Sequence, residues 1–437
     1  MSHLYDIAVQ AQTTAQEFGA DEAKIYVSQS VSTELSQREG KIEKSQQSNS
    51  RSLSCSLLVD GRFSTHSISD MRPQAIQDFL QRAIDATRCL EKDPNRGLLP
   101  LEEMGAASQD LELFDPKERE AKDYLKQLQE LETSSFEACK HLDVRSITVG
   151  SSDVRSEVVM VCSNGFSTRW KSSHSSCGAE VTLVGENDRL PEAYNYYSAR
   201  HISDLPSIDR IASELAEKGE KRLHSKAMES AQLPMLLDRR VAARMLSVLF
   251  QAISGGEIYE QRSCLKDKLG QKIANQGLNM HSDPLIVRGL GSRICDGDGI
   301  EAKTLPIIEN GVLQNFLINV YNGRRLAMPY TTSSIGNLVI PPGARSVDEI
   351  LTSRDRVVIV EGFLGGNSNH TTGDFSFGIT GSLFEKGQFI QGLSEMNVSG
   401  NLFSLLENWS ESANDTWTFS SYRLPSLLFE NIQFSGT

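Results

Sequence analysis

The spacing of apolar residues in the first 110 positions predicts two helices around a set of strands. Apolar side chains recur at helical intervals up to Gly19, and a glycine at that place is typical of a helix end. Residues 23–30 and 51–69 alternate between apolar and polar as strands do, and residues 73–90 return to helical spacing. A polar stretch that contains Pro and Gly follows. We therefore predict a first α/β unit over residues 1–110.

Similar patterns continue through the middle of the chain. A charged helix is predicted after Pro116, and strands are predicted over residues 154–176. A helix over residues 206–223 completes a second α/β unit, residues 111–228. The third unit, residues 229–437, consists mostly of strands after its first helix.

The first helix of the third unit is amphipathic. Residues 239–256 read RRVAARMLSVLFQAISGG and place most of their apolar side chains on one face. Asp238 fits the N-cap of this helix and Gly255 fits its C-cap. We therefore expect one continuous helix that ends on the glycine pair.

Dipeptides that favour tight turns separate several of the predicted strands. They are Asp60-Gly61, Asn164-Gly165, Asn310-Gly311 and Lys386-Gly387. Ser346–Glu349 fits a capping box at the start of a short helix. The elements together predict an α+β fold, with two helix-flanked mixed-sheet N-terminal units followed by a mainly antiparallel β, barrel-like C-terminal domain.

Composition and charge narrow the class of protein. With 39% hydrophobic and 23% charged residues, the chain has the composition of a soluble globular protein. No run of about 18 apolar residues offers a membrane span, and the start lacks the pattern of a signal peptide, so we expect a cytoplasmic protein without a membrane partner. The formal charge of −13 would repel a phosphate backbone, which argues against a nucleic-acid partner.

The residues that could carry chemistry form no familiar catalytic pattern. The 7 cysteines show no C-x-x-C spacing, and no two of the 8 histidines stand three or four positions apart, as a zinc helix would require. Cys264 has no evident partner base, and we interpret it as structural. Residues 295–301, CDGDGIE, lack the ligands of a calcium loop and are interpreted as a glycine-rich turn. The residues thus predict no catalytic or metal-binding side chain.

Three segments are unusually rich in Gly and Ser, and all belong to the third unit. They are residues 252–256, 371–381 and 394–401. Glycine in a strand-like setting marks a bulge, or the close approach of another backbone such as a ligand peptide. Tight turns between strands are the alternative interpretation.

Around these segments the chain resembles the TldD/PmbA family, whose members are also known as TldE or as modulators of DNA gyrase. The resemblance is to the PmbA (TldE) side of the family and covers nearly the whole chain. Its most specific parts are residues 249–259, 289–326, 371–402 and 413–436, which occur in the order and at the separations of the family. This combination is much more specific than any single motif.

The resemblance implies a cytosolic peptidase with two kinds of subunit. The TldD-type subunit carries an H-E-x-x-x-H zinc helix and a later cysteine ligand, and the substrate is an unfolded or leader peptide held extended. Alignment of that helix through Gly256 places its ligand and base positions at Ser247, Val248 and Ala252, and the late cysteine near Phe419. None of these side chains can bind zinc or act as a general base. We therefore expect no cofactor on this chain and zinc on a TldD-like partner.

The expected function is that of a TldE-like subunit that pairs with a TldD-like subunit and shapes a channel for an extended peptide. Pairing of two copies of this chain in a homodimer is the alternative to this heterodimer. The candidate channel or interface residues are Gly255, Gly256, Ser394, Glu395 and Asn401. For each of them a turn or a cap is the structural alternative.

A second function remains open at this point. It is a non-proteolytic homodimer that binds peptides or regulates a partner, of the gyrase-modulator or toxin–antitoxin type. A zinc site that used His281 or His370 would overturn the expectation of a zinc-free chain.

Overall fold

The computed structural model describes residues 3–436, apart from the side chain of Asn187. Its helices are α1 (His3–Glu17), α2 (Pro73–Thr87), α3 (Ala121–Ala138), α4 (Ile208–Leu223), α5 (Ala242–Met245), α6 (Ser247–Ala252), α7 (Gly255–Tyr259), α8 (Val320–Leu326), α9 (Val347–Thr352) and α10 (Leu402–Glu407). Within the described residues, none of these helices has the length and the apolar character needed to cross a membrane.

The strands fall into three sheets. In chain order they are β1 (Glu22–Arg38), β2 (Lys41–Val59), β3 (Arg62–Ile68), β4 (Val144–Cys162), β5 (Ser167–Leu183), β6 (Glu192–Ala199), β7 (Ala231–Leu237), β8 (Met280–Asp283), β9 (Leu305–Glu309), β10 (Val312–Leu313), β11 (Asn337–Val339), β12 (Arg356–Ser368), β13 (Asp374–Glu385), β14 (Gln388–Asn401), β15 (Trp409–Ser412), β16 (Tyr422–Arg423) and β17 (Leu427–Ser435).

The first sheet has the order β3-β2-β1-β4-β5-β6, and every neighbouring pair is antiparallel. Short turns join β1 to β2, β2 to β3 and β4 to β5, and strands joined by such turns must run antiparallel. The sequence predicts mixed sheets in two units, whereas the structure has one antiparallel sheet. Because β1 pairs with β4, this sheet continues through the boundary predicted near residue 110.

All four long helices of the N-terminal half cover one face of this sheet. Helices α1 and α2 pack on a cluster that includes Ile25 of β1, and α3 and α4 pack on a cluster that includes Leu35 of the same strand. Residues 25 and 35 are ten positions apart in a regularly paired strand, and an even offset places their side chains on the same face.

The C-terminal region contains a closed barrel. Strands β14, β13, β12, β7 and β17 are neighbours in that order, and a pairing of β14 with β17 closes the ring. The pairing of β7 with β12 is parallel, and the other pairings of the ring are antiparallel. Strand β15 pairs with β17 outside the ring, and a further sheet has the order β10-β9-β8-β11-β16. The predicted α+β class and the barrel-like C-terminal domain are confirmed.

The turns predicted from dipeptides are also present in the structure. Asp60-Gly61 has φ of 50° and 73°, Asn310-Gly311 has 50° and 77°, and Lys386-Gly387 has 48° and 80°. Each pair lies between two antiparallel strands, so these predicted hairpins are confirmed. Asn164-Gly165 lies in the turn between β4 and β5, and Ser346–Glu349 forms the predicted capping box of α9.

Candidate functional site

The segment predicted as one helix over residues 239–256 is broken into α5, α6 and the start of α7. The Gly255 amide donates to the carbonyl of Leu317 at 2.8 Å, and Gly255 begins α7 instead of ending a helix. The prediction of a continuous helix with Gly255 as its C-cap is therefore wrong. The predicted N-cap is also wrong, since Val241 occupies the N-cap position of α5 without a side-chain capping bond, while the Asp238 carboxylate accepts from the amide of Arg240 at 2.8 Å.

The residues at the positions that align with zinc ligands pack or form hydrogen bonds within the chain. Val248 and Ala252 are fully buried in the core of the C-terminal region, and the Ser247 hydroxyl donates to the carbonyl of Arg244 at 2.8 Å. Phe419 packs instead against the cluster beneath α3 and α4, with its ring 4.8 Å from that of Tyr197. Because Val248, Ala252 and Phe419 offer no ligand atoms, these positions do not fit a zinc ion.

Glu257, which directly follows the glycine pair, contacts the loop that joins β12 to β13, residues 369–373. His370 Nε2 in this loop is 2.8 Å from the Glu257 carboxylate. Glu257 is the third residue of α7, which begins at Gly255. Arg262 Nε donates to the same carboxylate at 3.0 Å. The hydrogen bond from Arg262, and then the contact with His370, lower the pKa of Glu257 despite the opposing effect of burial. The carboxylate is therefore ionised and held at the first turn of α7.

The two glycines differ in how much space surrounds them. A Cβ atom on Gly255 would lie 3.0 Å from the Leu317 carbonyl oxygen and 3.1 Å from Ile318 Cδ1. A Cβ atom on Gly256 would meet only the Ser254 hydroxyl, at 3.9 Å. Gly255 is thus required by close packing, whereas Gly256 offers room for a larger group.

Asn401 is also in contact with the 369–373 loop. Its side-chain amide donates to the carbonyl of Thr372 at 3.0 Å and to Asp374 Oδ1 at 2.8 Å. Its side-chain oxygen accepts from the amide of Phe403 at 3.1 Å and so caps α10. The structure therefore brings Asn401 and Glu257, the residue after the glycine pair, to one loop, and it gives Asn401 a capping role.

Ser394 and Glu395 lie in a different place. They form a bulge in β14, where Glu395 has φ of 57°, and Ser394 is seven positions from Asn401 along the strand. At about 3.3 Å per residue this is a distance of about 23 Å. Ser394 is buried and Glu395 is exposed, with a 3.5 Å ion pair from Glu395 to Arg189. The five candidate residues thus divide between two regions.

Cys264 is close to the 369–373 loop but is not an activated nucleophile. Its amide donates to the carbonyl of His370 at 3.0 Å. Burial, and then the negative charge of Asp374, raise the pKa of its thiol. The thiol therefore stays protonated at neutral pH, in keeping with a structural role.

The remaining metal candidate from the sequence, His281, lies in β8 and pairs with Pro306 and Val339 in the neighbouring strands. Between residues 3 and 436, no three His, Cys, Asp or Glu side chains are grouped in a way that could hold a metal ion. Zinc on a partner subunit remains a prediction.

Sequence reasoning missed a polar network between the middle unit and the C-terminal domain. Glu214 of α4 accepts hydrogen bonds from the Tyr197 hydroxyl, from Arg240 and, at 2.9 Å, from Arg210 Nε. Burial alone would raise the pKa of Glu214, but these donors and the charge of Arg240 lower it to about 2. No local motif marks the network, because its members come from β6, α4 and the segment before α5.

A second polar seam joins the first unit to α8. Arg324 donates to the carbonyls of Gly97 at 3.1 Å and Leu98 at 2.8 Å. The guanidinium of Arg96 lies 3.3 Å from the centroid of the Tyr321 ring, within the range of a cation–π contact. Arg324 and Tyr321 of α8 thus attach the C-terminal domain to residues 96–98, which follow the first unit's last helix.

The chain matches family models over most of its length. The models are those of PmbA/TldA metallopeptidase domain 1 over residues 23–87, its central domain over residues 112–223 and its C-terminal domain over residues 230–436. A protein from Escherichia coli O157:H7 with the name Metalloprotease PmbA is 27% identical to this chain, in an alignment that covers 98% of this chain and 96% of that protein.

Solved structures show the same relationship. A protein from Bacteroides thetaiotaomicron, described as a modulator of DNA gyrase, has 31% sequence identity and a TM-score of 0.93, over 99% of this chain and 98% of that one. TldE from Thermococcus kodakarensis shares the fold, with a TM-score of 0.86 and 20% identity over 98% of this chain and 100% of that one. The matches to all three domain models and to relatives over nearly their full lengths lead to one conclusion: the chain belongs to the PmbA/TldD family.

Proposed function

We propose that this chain is a TldE-like subunit that lacks a zinc site, pairs with a zinc-bearing TldD-like subunit and shapes the peptide channel of a cytoplasmic metallopeptidase. The observation that carries the proposal is the contrast between a complete family scaffold and the residues at the aligned zinc positions. Two of those residues, Val248 and Ala252, are buried in an apolar core.

The side chains at the aligned positions lack the atoms that zinc chemistry needs. Zinc in a peptidase is held by nitrogen, sulfur or oxygen ligands and activates a bound water. Aliphatic side chains at Val248 and Ala252 supply none of these atoms, and the break between α5 and α6 falls next to Ser247. Hydrolysis in this proposal therefore takes place on the partner, and the peptide is an unfolded or leader peptide.

The region around α7 is the proposed contact with peptide or partner. Gly256 leaves open space at the first turn of α7, and the 369–373 loop lies beside it through the Glu257–His370 contact. Asn401 donates a hydrogen bond to Thr372 of the same loop. A peptide or a partner loop that docks here would meet a surface with little side-chain bulk, which suits the approach of a second backbone.

The test is complementation between purified subunits. The chain alone should contain no stoichiometric zinc by metal mass spectrometry and should not hydrolyse an unstructured fluorescent peptide. Addition of a TldD-like subunit with H-E-x-x-x-H should produce hydrolysis, and addition of the same subunit with both histidines replaced by alanine should not.

Two other outcomes would contradict the proposal. Stoichiometric zinc together with chelator-sensitive hydrolysis by the chain alone would show a metal site in this chain. A stable homodimer that binds the peptide, does not associate with the TldD-like subunit and never supports hydrolysis would favour the non-proteolytic regulatory function instead.

A further inference from the structure

One face of the first sheet has a central region without charged side chains. This region, termed the serine face, comprises the even-numbered residues of 26–32 in β1, 48–56 in β2, 150–158 in β4 and 170–178 in β5. The register places even-numbered residues of neighbouring strands opposite one another, for example Ser50, Ser30, Ser156 and Ser172 in one row. More than half of the residues of the serine face are Ser, and none is Asp, Glu, Lys or Arg.

The serine face is open to solvent over most of its area. The four long helices pack on the opposite face of the sheet, on the clusters that include Ile25 and Leu35. At one end, Cys295 of the C-terminal domain joins an apolar cluster with Met160, which is next to the serine face in β4. All residues of the serine face except Gly178 nevertheless remain partly or fully exposed. The fold therefore leaves room for a second surface here.

Hydroxyl groups of the serine face satisfy one another across the strands. Ser156 Oγ donates to Ser30 Oγ at 3.1 Å, and the Oγ atoms of Ser152 and Ser176 are 2.8 Å apart, within hydrogen-bond distance. Burial of a hydroxyl group that keeps its hydrogen bond costs much less free energy than burial of one that loses it. A second surface could therefore cover these residues at a small cost in desolvation.

The residue types of the serine face are unusual for a surface that stays in water. Strands favour β-branched and aromatic residues, so strand stability does not explain the repeated Ser. Lys, Glu, Arg and Asp normally lie at exposed positions, and 23% of this chain is charged. Depletion of charge is typical of the centre of a protein–protein interface, and Ser together with Tyr is the combination that antibodies use to contact other proteins. The composition thus favours contact with another protein.

Tyr196 of β6 extends the serine face with an aromatic ring that lies against two glycines. A Cβ atom on Gly178 would overlap the Tyr196 ring, and one on Gly150 would lie 3.5 Å from Tyr196 Cε1. The ring therefore lies close to the backbone of β4 and β5. With 43% of its surface exposed, Tyr196 offers apolar contact area and a hydroxyl group to a second surface.

A second copy of this chain fits the size and the charge of the serine face. With β6 included, five strands at a spacing of about 4.8 Å and nine residues at about 3.3 Å each give an area of about 700 Å². A standard interface buries about 800 Å² of each partner. Two chains that each carry a formal charge of −13 repel one another, and a contact without charged residues brings no like charges close together.

We propose that the serine face is the contact through which two copies of this chain form a dimer about a two-fold axis, the commonest symmetry of protein dimers. In this dimer the two sheets pack face to face, and the short Ser side chains let the two backbones approach closely. The proposal concerns the chain alone and does not rest on the proposed function. It adds a self-associated state to a subunit that is proposed to act with another subunit.

The experiment measures the mass of the full chain by sedimentation equilibrium at micromolar to submillimolar concentrations. The wild type should have twice the chain mass of 48.3 kDa. Ser30→Arg and Ser172→Arg, on different strands of the serine face, should each raise the Kd of the dimer at least about tenfold, because an unpaired charge is then buried in the contact. Ser45→Arg is the matched control and should dimerise like the wild type, since Ser45 is exposed on β2 but points to the opposite face of the sheet.

A wild type that stays monomeric at submillimolar concentration would overturn the proposal. An unchanged Kd in Ser30→Arg or Ser172→Arg would also overturn it, because the contact would then lie elsewhere. Loss of the dimer in Ser45→Arg would do the same, since Ser45 lies outside the serine face. Urea unfolding checks that each variant is folded, and the other variant of the serine face decides the result if one is not.

The salt dependence of the wild-type dimer is a test that needs no substitution. A rise in NaCl from about 0.1 M to about 0.5 M screens the repulsion between two negative chains, so the Kd should stay constant or fall. A contact held by ion pairs would weaken instead, and a clear rise of the Kd would overturn the proposal. Neither measurement contains a TldD-like subunit, whereas the proposed function is tested by hydrolysis after that subunit is added, so each can fail without the other.

Discussion

Arg240, at the start of the C-terminal domain, donates a hydrogen bond to the Glu214 carboxylate on α4 of the middle unit. The two side chains are only 20% and 21% exposed, and the Tyr197 hydroxyl donates to the same carboxylate. Arg240 also lies 4.6 Å from the centroid of the Trp417 ring, beside Phe419. This pair therefore links the middle unit to the region where the late zinc ligand of a TldD-type subunit would align.

Replacement of Glu214 by Gln should destabilise the protein by about 2–3 kcal/mol, because Arg240 keeps a charge that is largely buried and loses the negative charge that balances it. The measurement is the free energy of unfolding in urea. Glu220→Gln on the same helix is the matched control, since the Glu220 side chain is 67% exposed and its change should have almost no effect. Equal stability of the two variants would show that the Arg240–Glu214 pair contributes nothing.

The same carboxylate should make stability depend on pH. The pKa of Glu214 is lowered to about 2, whereas an unfolded glutamate titrates near about 4.3. A lowered pKa means that the stabilisation is complete above the unfolded value and disappears as the pH falls toward the folded one. The difference in unfolding free energy between wild type and Glu214→Gln should therefore narrow from about pH 6 to about pH 3.5. A constant difference over this range would contradict the assignment.

Much of the fold follows from local sequence patterns. The helical spacing that ends near Gly19, the proline that begins α2 and the paired turn residues all act on neighbouring residues, and the structure contains the elements that they predict. The joining of the first two units into one sheet could not be predicted in this way. It depends on pairing between β1 and β4, whose residues are more than 100 positions apart.

In the candidate site, too, the features that could not be predicted depend on residues that are distant in the sequence. Its neighbours alone predict that Gly255 ends a helix, but its amide donates to the carbonyl of Leu317, about 60 residues later, and Gly255 begins α7. The contact of Asn401 with Thr372 and Asp374 also joins segments that no spacing rule connects. The positions that align with zinc ligands come from the family resemblance alone. The structure shows that Val248 and Ala252 are buried core residues there and that Phe419 packs beneath α3 and α4.

Gly256→Leu should separate function from stability. Since only the Ser254 hydroxyl lies within 4 Å of the new Cβ, the unfolding free energy should change by no more than about 0.5 kcal/mol. Hydrolysis by the reconstituted pair should fall at least severalfold, because the side chain occupies the proposed contact surface. Undiminished hydrolysis would remove Gly256 from that surface. Gly255→Val should instead lower stability by about 1–3 kcal/mol, because the backbone of Leu317 leaves no room for it.

Asn401 offers a test of how α10 and the 369–373 loop are connected. Asn401→Ala removes both the cap on Phe403 and the donors to the loop, and should reduce stability by about 1–2 kcal/mol. Asn401→Asp keeps a capping oxygen but places a second carboxylate beside Asp374. Hydrogen exchange at neutral pH should then show faster opening of the loop in Asn401→Asp while α10 stays protected. Equal protection of the loop in wild type and Asn401→Asp would mean that the amide donors do not hold it.

Arg324 should control how firmly the first unit is attached to α8. Its guanidinium donates to the carbonyls of Gly97 and Leu98, and a Met at this position keeps much of the volume but none of the donors. Amide exchange over residues 95–98 should become faster in Arg324→Met, whereas the barrel strands should exchange as in the wild type. Arg82→Met, an exposed change on α2, is the control and should leave both regions unchanged. If exchange over residues 95–98 stays slow in Arg324→Met, the hydrogen bonds of Arg324 do not hold this segment, and the contacts of Tyr321 with Asp93 and Arg96 are sufficient.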